Sequence, residues 1–257
     1  MQNGGKVLVQ SLVNLGATKA FGVPGESYLP VLDALYDTQG ALDFILCRNE
    51  GGAAYMAAAY GKLTGQPGIC MVTRGPGATN ASVGIHTAHQ DSTPMIIFVG
   101  QVGTDLKERE AFQEVDYRAF FGPLAKWATE IEDTDRIPEI MARAWKTATS
   151  GRPGPVVVAL PEDVLSGLTD VAPLSGLRAL EEPAPTAASL AKLRERLEHA
   201  ERPLIMMGGT GWTSDAKAKV QAFAEAANIP VVTAARFLDC FDNFSPVFVG
   251  EAGVGMP

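Results

Sequence analysis

The chain has 257 residues, 46% hydrophobic and 19% charged, with a net charge of -8 at pH 7 and a pI near 5.0. That length supports one large or two ordinary domains around a sizeable core. The acidic balance leaves no basic surface to neutralise nucleic acid phosphates, and no Lys/Arg cluster addresses a membrane, so small-molecule chemistry is the expected class.

Residues 1–15 carry one lysine and lack both a long apolar core and a small-residue cleavage pattern. No later run approaches the 18 apolar residues of a membrane span, so neither secretion nor membrane insertion is expected. Short apolar runs follow at 19–23, 44–47, 69–73, 95–99 and 156–160, each closed by Gly, Pro or a polar turn. They read as strands. The first three end in the turns GVPG (22–25), RNEGG (48–52) and TRGPGATN (73–80), the last read as a loop. Ala53, Ala54, Met56, Ala57, Ala58 and Ala59 predict a helix after the second strand, and Ile137, Ile140, Met141, Ala144, Trp145 and Ala148 recur at the spacing of an amphipathic helix covering a sheet. Strands alternating with helices predict an α/β fold with a parallel sheet.

From 166 to 186 the chain collects Pro173, Pro183, Pro185, Glu181 and Glu182, the signature of a linker. A second unit follows: helix 190–199, strand 204–207 ending in Gly208, Gly209 and Gly211, helix 216–227 and strand 231–233. Domains are expected over 1–167 and 188–257, joined by 168–187. With one clear crossover, the second reads as an incomplete α/β domain. Cys47, Cys70 and Cys240 form no C-x-x-C pair and read as reduced, buried residues of a cytoplasmic protein.

Ligands of open α/β sheets bind beyond the carboxyl ends of the strands, so chemistry is sought in the turns that follow them. Glu50 closes the second strand and opens a helix. A carboxyl group there would be partly desolvated and suited to handling a proton; equally, it would complement the helix dipole as a structural residue. In TRGPGATN the glycines permit close backbone approach to a ligand, while Thr79 and Asn80 offer polar contacts. Neither G-x-G-x-x-G nor G-K-[ST] is met, and the GGTGW turn at 208–212 is equally unspecific. His86 and His89 are three apart, but a third ligand at a sensible spacing is missing, so no metal site is assigned to these residues. There is no nucleophile elbow with Ser, His and Asp.

Taken in order, GVPG (22–25), RNEGGAAYMAAAYGKLTG (48–65), TRGPGATN (73–80), DSTPMIIFVGQV (91–102), FQE (112–114) and GRPGPVVVALPEDV (151–164) resemble the acetolactate synthase and pyruvate oxidase group of thiamine diphosphate enzymes. The likeness is to their pyrimidine-binding domain up to about residue 165, a parallel sheet with helices on both faces. The remainder resembles the opening half of their central domain. The resemblance implies that Glu50 hydrogen-bonds the aminopyrimidine ring of thiamine diphosphate and relays a proton, favouring the imino tautomer that takes the proton from the thiazolium C2. It implies further that Pro24, Gly25, Thr73, Pro76, Gly77, Asn80 and Gln113 line the cofactor pocket, and that Phe112 and Gln113 approach the substrate. Turn and packing roles are the alternatives at these positions. The group binds its cofactor between two subunits, which implies a homodimer or higher homo-oligomer.

The chain departs from the group's usual histidine at Asn49, glutamine at Gly51 and serine at Arg74, which leaves substrate choice open. Arg74 would favour an acidic substrate or serve as a surface ion-pair residue. Members of the group carry a third domain whose Gly-Asp-Gly motif holds magnesium and the diphosphate, and this sequence has no Asp-Gly pair. The expectation is therefore a truncated form, one piece of a split enzyme or a naturally incomplete relative, inactive alone and dependent on a separate diphosphate-binding partner. FAD, used by some members, would depend on the second unit, where GGTGW alone does not establish it. The expected reaction is decarboxylation of a 2-oxo acid such as pyruvate and ligation to a second carbonyl. The alternatives are a simple 2-oxo acid decarboxylase or oxidase, a non-catalytic module, and a nicotinamide oxidoreductase. The last is disfavoured because the run 95–99 is followed by Gly100 and Gln101 rather than an acidic residue.

Overall fold

A computed structural model describes residues 1–38, 40–177 and 184–253, and the chain divides into two compact units, Met1–Arg178 and Ala179–Pro257. The first unit starts with a short strand β1 (Gln2–Asn3) and helix α1 (Gly4–Asn14), then β2 (Lys19–Gly22), α2 (Leu29–Asp37), β3 (Asp43–Leu46), α3 (Glu50–Thr64), β4 (Gly68–Val72), α4 (Gly75–Gln90) and β5 (Met95–Gln101). It continues through α5 (Tyr117–Phe121), β6 (Trp127–Glu130), α6 (Ile137–Thr149), β7 (Pro155–Pro161), α7 (Glu162–Ser166) and β8 (Leu168–Thr169), which pairs antiparallel with β1.

Six strands form one parallel sheet in the order β3-β2-β4-β5-β7-β6. Its central strands β4, β5 and β7 are apolar but for Gln101 at the end of β5, because both faces are covered. On β5, Ile96 and Phe98 enter the cluster shared with α1, α2 and α6, while Met95, Ile97 and Val99 enter the one shared with α3 and α4. Each such fully buried apolar side chain contributes about 1.5–3 kcal/mol. The expected α/β class, with helices on both faces, is what the structure has.

The α3–α4 face is built from small residues: Ala53, Ala54, Ala57, Ala58, Ala78, Ala81 and Ala88 are all buried in it. Close approach is what they provide. A Cβ on Gly84 would stand 2.5 Å from the Cβ of Ala54, and one on Gly68 would stand 1.8 Å from the Ala57 carbonyl oxygen. The two helices and β4 therefore lie nearly backbone to backbone, and the N-termini of α3 and α4 end side by side.

The five expected strands match β2, β3, β4, β5 and β7 to within two residues at each end. β6, only four residues at the sheet edge and half-buried over its first two, has no long apolar run to reveal it. One reading is corrected: TRGPGATN is not a loop, because α4 begins at Gly75 with Pro76 in its first turn, where the missing proline N–H costs nothing.

The second unit holds α8 (Ala187–Glu198), β9 (Ile205–Met207), α9 (Ser214–Ala227), β10 (Val231–Ala234) and β11 (Phe248–Ala252), with a parallel sheet in the order β11-β10-β9. Its core is small: α8 buries no residue and α9 buries only Ala224. The linker expectation covers residues 178–183, including Glu181, Glu182 and Pro183, which lie outside the described residues, and Leu168–Thr169 within it forms β8. Among the described residues no helix is long and apolar enough to cross a membrane.

Candidate functional site

The strand order reverses at β2, whose neighbours are β3 on one side and β4 on the other. Open α/β sheets bind ligands beyond the carboxyl ends of such a pair, and here the residues following β2, β3 and β4 meet at that end.

Asn49 caps α3 by accepting the Gly52 N–H on its side-chain oxygen at 3.0 Å, which fixes Glu50 as the first helical residue. Glu50 is half-buried, and its Oε2 accepts a hydrogen bond from Asn80 Nδ2 at 2.7 Å across to the second turn of α4. Its other oxygen lies over Gly77, where a Cβ would stand 3.6 Å from Oε1 and 3.0 Å from Thr73 Cγ2. One carboxylate oxygen is thus oriented by an amide, and the other borders a floor kept clear by a glycine.

The next wall is the turn after β2. A Cβ on Gly25 would come 2.5 Å from the Thr73 Cβ, so only glycine lets this turn rest on the end of β4. Ser27, fully buried, shares a 2.9 Å hydrogen bond with the Thr73 hydroxyl. Tyr28 donates its hydroxyl to the Val23 carbonyl, and burial pushes its pKa up, so it remains a donor. Pro24 is exposed within this turn, as Pro76 is in the first turn of α4.

The segment leading to α5 forms the third wall, and it is strained. Glu108, Glu110 and Gln113 adopt left-handed φ values of 62°, 53° and 64°, each costing about 1–2 kcal/mol for a non-glycine residue. Four contacts offset that cost. The Glu114 carboxylate accepts the N–H groups of Glu108 at 2.6 Å and Ala111 at 3.0 Å, bonds that hold its pKa below the ordinary carboxylate value. The Gly75 N–H donates to the Gln113 carbonyl at 3.0 Å, and the Arg74 guanidinium lies 5.9 Å from the centre of the Phe112 ring. Phe112 itself is 71% exposed.

The structure therefore joins Gly25, Thr73, Gly77, Glu50 and Asn80 in one run of contacts. Gln113 enters through its backbone and Phe112 through Arg74. Arg74 is not a surface residue: it is 7% exposed and pairs with Glu26 at 2.7 Å and Glu162 at 3.2 Å. Ser27, Tyr28, Glu26, Glu162 and the role of Glu114 were not read from the sequence. Glu26 and Glu162 stand in the first residues after β2 and β7, so attention to every strand end would have found them.

His86 is exposed and His89 half-buried on α4, and no group of three or more His, Cys, Asp or Glu among the described residues is placed to hold a metal. In the second unit the GGTGW turn is shaped by left-handed Gly209 and Gly211 and by the Trp212 indole donating to the Gly208 carbonyl at 3.0 Å.

Residues 2–120 match the family model "Thiamine pyrophosphate enzyme, N-terminal TPP binding domain", and residues 190–257 match "Thiamine pyrophosphate enzyme, central domain". The chain is 37% identical over 259 residues to the acetolactate synthase isozyme 3 large subunit of Escherichia coli K12, covering 99% of this chain and 45% of that protein. It is 37% identical to the acetolactate synthase large subunit of Corynebacterium glutamicum, over 98% of this chain and 40% of the relative. To the probable acetolactate synthase large subunit of Methanocaldococcus jannaschii it is also 37% identical, over 98% of this chain and 43% of the relative. The chain spans less than half the length of these curated relatives.

Proposed function

The chain belongs to the thiamine pyrophosphate enzyme family, and from that premise we propose that it is the pyrimidine-binding portion of an acetolactate synthase-like enzyme, with Glu50 as its proton-handling residue. The observation that carries the reading is the divided Glu50 carboxylate: Oε2 is held by Asn80 and Oε1 stands over Gly77. In this reading the aminopyrimidine ring lies on the glycine floor between the ends of β2 and β4, with Gly25, Thr73, Gly77 and Asn80 as its walls and Pro24, Pro76 and Gln113 at its margin. When bound, thiamine diphosphate supplies the carbanion chemistry of decarboxylation and carboligation.

Within this proposal Glu50 Oε1 holds or yields a proton at the pyrimidine ring nitrogen, and Asn80 keeps the carboxylate turned toward that position. Gly77 keeps the floor clear. Phe112 and Gln113 bound the substrate side, where the substrate is a 2-oxo acid such as pyruvate. Diphosphate and magnesium fall to a separate diphosphate-binding domain or subunit. A flavin has no assigned place, since the conformation of the GGTGW turn is accounted for by its own glycines and tryptophan.

The reading extends the pyrimidine-binding domain past residue 167 to include β8, which pairs with β1, then takes a linker and 188–257 as part of the central domain, in a cytoplasmic protein whose three cysteines are all buried. It includes a homodimer formed over α3 and α4. Exposed Leu46, Tyr55, Met56 and Val83 support that face, and Val83 lies beside the site, 3.4 Å from where a Gly51 Cβ would stand.

The test is titration of thiamine diphosphate with magnesium, with and without a separately expressed diphosphate-binding domain, for the parent and Glu50→Gln. Tight binding with the added domain, and turnover reduced 10²–10⁴-fold by the substitution, are expected. Equal turnover by the two proteins would overturn the role of Glu50. Acetolactate as product supports carboligation, whereas aldehyde or acetate would assign a decarboxylase or an oxidase.

A further inference from the structure

We infer that Arg74 is a positioning residue: it ties the turn after β2 and the strained segment 108–114 to the strand ends, and it is not a cation presented to substrate. The inference rests on the function proposed above, since it concerns the walls of that site. An arginine one residue after Thr73 invites the simple reading of an anion receptor. Its surroundings argue otherwise.

The guanidinium is enclosed, and two of its nitrogens already face carboxylates. One is Glu26, next to Gly25 in the turn after β2, and the other is Glu162, directly after β7. Its Nε is buried and has no hydrogen-bond acceptor among the described residues. With one cation against two carboxylates, the cluster's formal sum is negative, which repels an acidic substrate. The guanidinium carbon lies 5.9 Å from the centre of the Phe112 ring, and the next residue, Gly75, donates its N–H to the Gln113 carbonyl. Arg74 therefore links three strand ends, those of β2, β4 and β7, to a segment whose left-handed residues would not persist unsupported.

Removing the cation has a consequence that distinguishes this role from others. Glu26 and Glu162, each within 3.2 Å of this one guanidinium, would lose their shared counter-charge, so Arg74→Gln should loosen the structure by repulsion as well as by lost contact. Neutralising both carboxylates should reverse much of that loss. A substrate-binding arginine would show no such rescue.

The test is amide hydrogen exchange of residues 25–28, of Gly75 and of residues 104–116, with thiamine diphosphate and magnesium affinity measured in parallel in the presence of the diphosphate-binding domain. Four proteins are compared: parent, Arg74→Gln, Arg74→Lys, and the triple variant Glu26→Gln, Arg74→Gln, Glu162→Gln. In Arg74→Gln exchange should quicken at least tenfold in all three places and affinity should fall. The triple variant should regain most of the protection, and lysine, a single point charge on a thinner head, should fall between parent and glutamine. The inference is overturned if Arg74→Gln exchanges like the parent, or if the triple variant is as loose as the single one. It is likewise overturned if exchange is unchanged while the KM for pyruvate alone rises. Failure of the parent to bind thiamine diphosphate would instead sink the proposed function, and the exchange pattern would still decide the clamp. Should Arg74→Gln not fold, the Glu26→Gln, Glu162→Gln pair with Arg74 retained answers the same question: it should loosen the same three places.

Discussion

The two sides of the candidate site are built by different physics. On the α3–α4 side, alanines and glycines let helices and strand approach closely, and Glu50 and Asn80 meet because their helix N-termini have nowhere else to be. On the Arg74 side, buried charge and left-handed backbone hold the residues after β2 and the segment 108–114. Packing tolerates no added volume, whereas charge pairing tolerates compensating change, so the two sides should fail differently.

The largest expected effect is on the packed side. Gly68→Ala places a methyl carbon 1.8 Å from the Ala57 carbonyl oxygen, which the backbone of α3 must yield to accommodate. A loss of about 3 kcal/mol in denaturant unfolding is expected, and a neutral result would show that α3 is free to move away from β4. Gly84→Ala, with its contact at 2.5 Å to the Ala54 Cβ, should cost about 1–3 kcal/mol and displace Glu50 from Asn80 in the same way.

Asn80→Ala removes only the donor to Glu50. A hydrogen bond to a charged group is worth about 1.5–3 kcal/mol, and Asn80 is exposed, so the low end applies. Turnover per cofactor bound should fall about tenfold, and stability by no more than about 1.5 kcal/mol; a loss of turnover as large as that of Glu50→Gln would mean Asn80 takes part in the chemistry directly.

The smallest effect is a pH dependence confined to the charged side. Glu114 has its folded pKa depressed by the two backbone N–H groups it accepts. Its contribution is therefore present above the unfolded glutamate pKa and lost as pH falls through the lower, folded value. Protection of the amides at residues 108–114, taken relative to their intrinsic exchange rates, should fall over that acid window in the parent and be already low, without a further step there, in Glu114→Gln. Equal exchange in the two proteins would remove Glu114 from the list of supports.

This division also explains what the sequence made legible. Strands β4, β5 and β7 announce themselves as unbroken apolar runs because both their faces are covered. Glu50 drew attention because it follows the short apolar run 44–47, although β3 is a largely exposed edge strand. The start of α4 was misplaced because a glycine-proline-glycine stretch reads as a turn until its first-turn position is known. β6 and β11 were hidden by their half-exposed, mixed composition. The charged side was the least readable: the partners of Arg74 lie 48 and 88 residues away in sequence, counting from 26 to 74 and from 74 to 162, and their places after strand ends mark them as candidates without pairing them to Arg74. Its charge was noted, but whether it faced a ligand or a carboxylate depended on a sheet order that only the fold supplies.

The claim on which the rest depends is that Glu50 moves a proton at the pyrimidine ring. Exchange of the thiazolium C2 proton into deuterated water, followed by NMR on bound thiamine diphosphate in the presence of magnesium and the diphosphate-binding domain, measures this without requiring substrate. The account predicts a rate 10²–10⁴-fold lower in Glu50→Gln than in the parent at equal cofactor occupancy. Equal rates would contradict it.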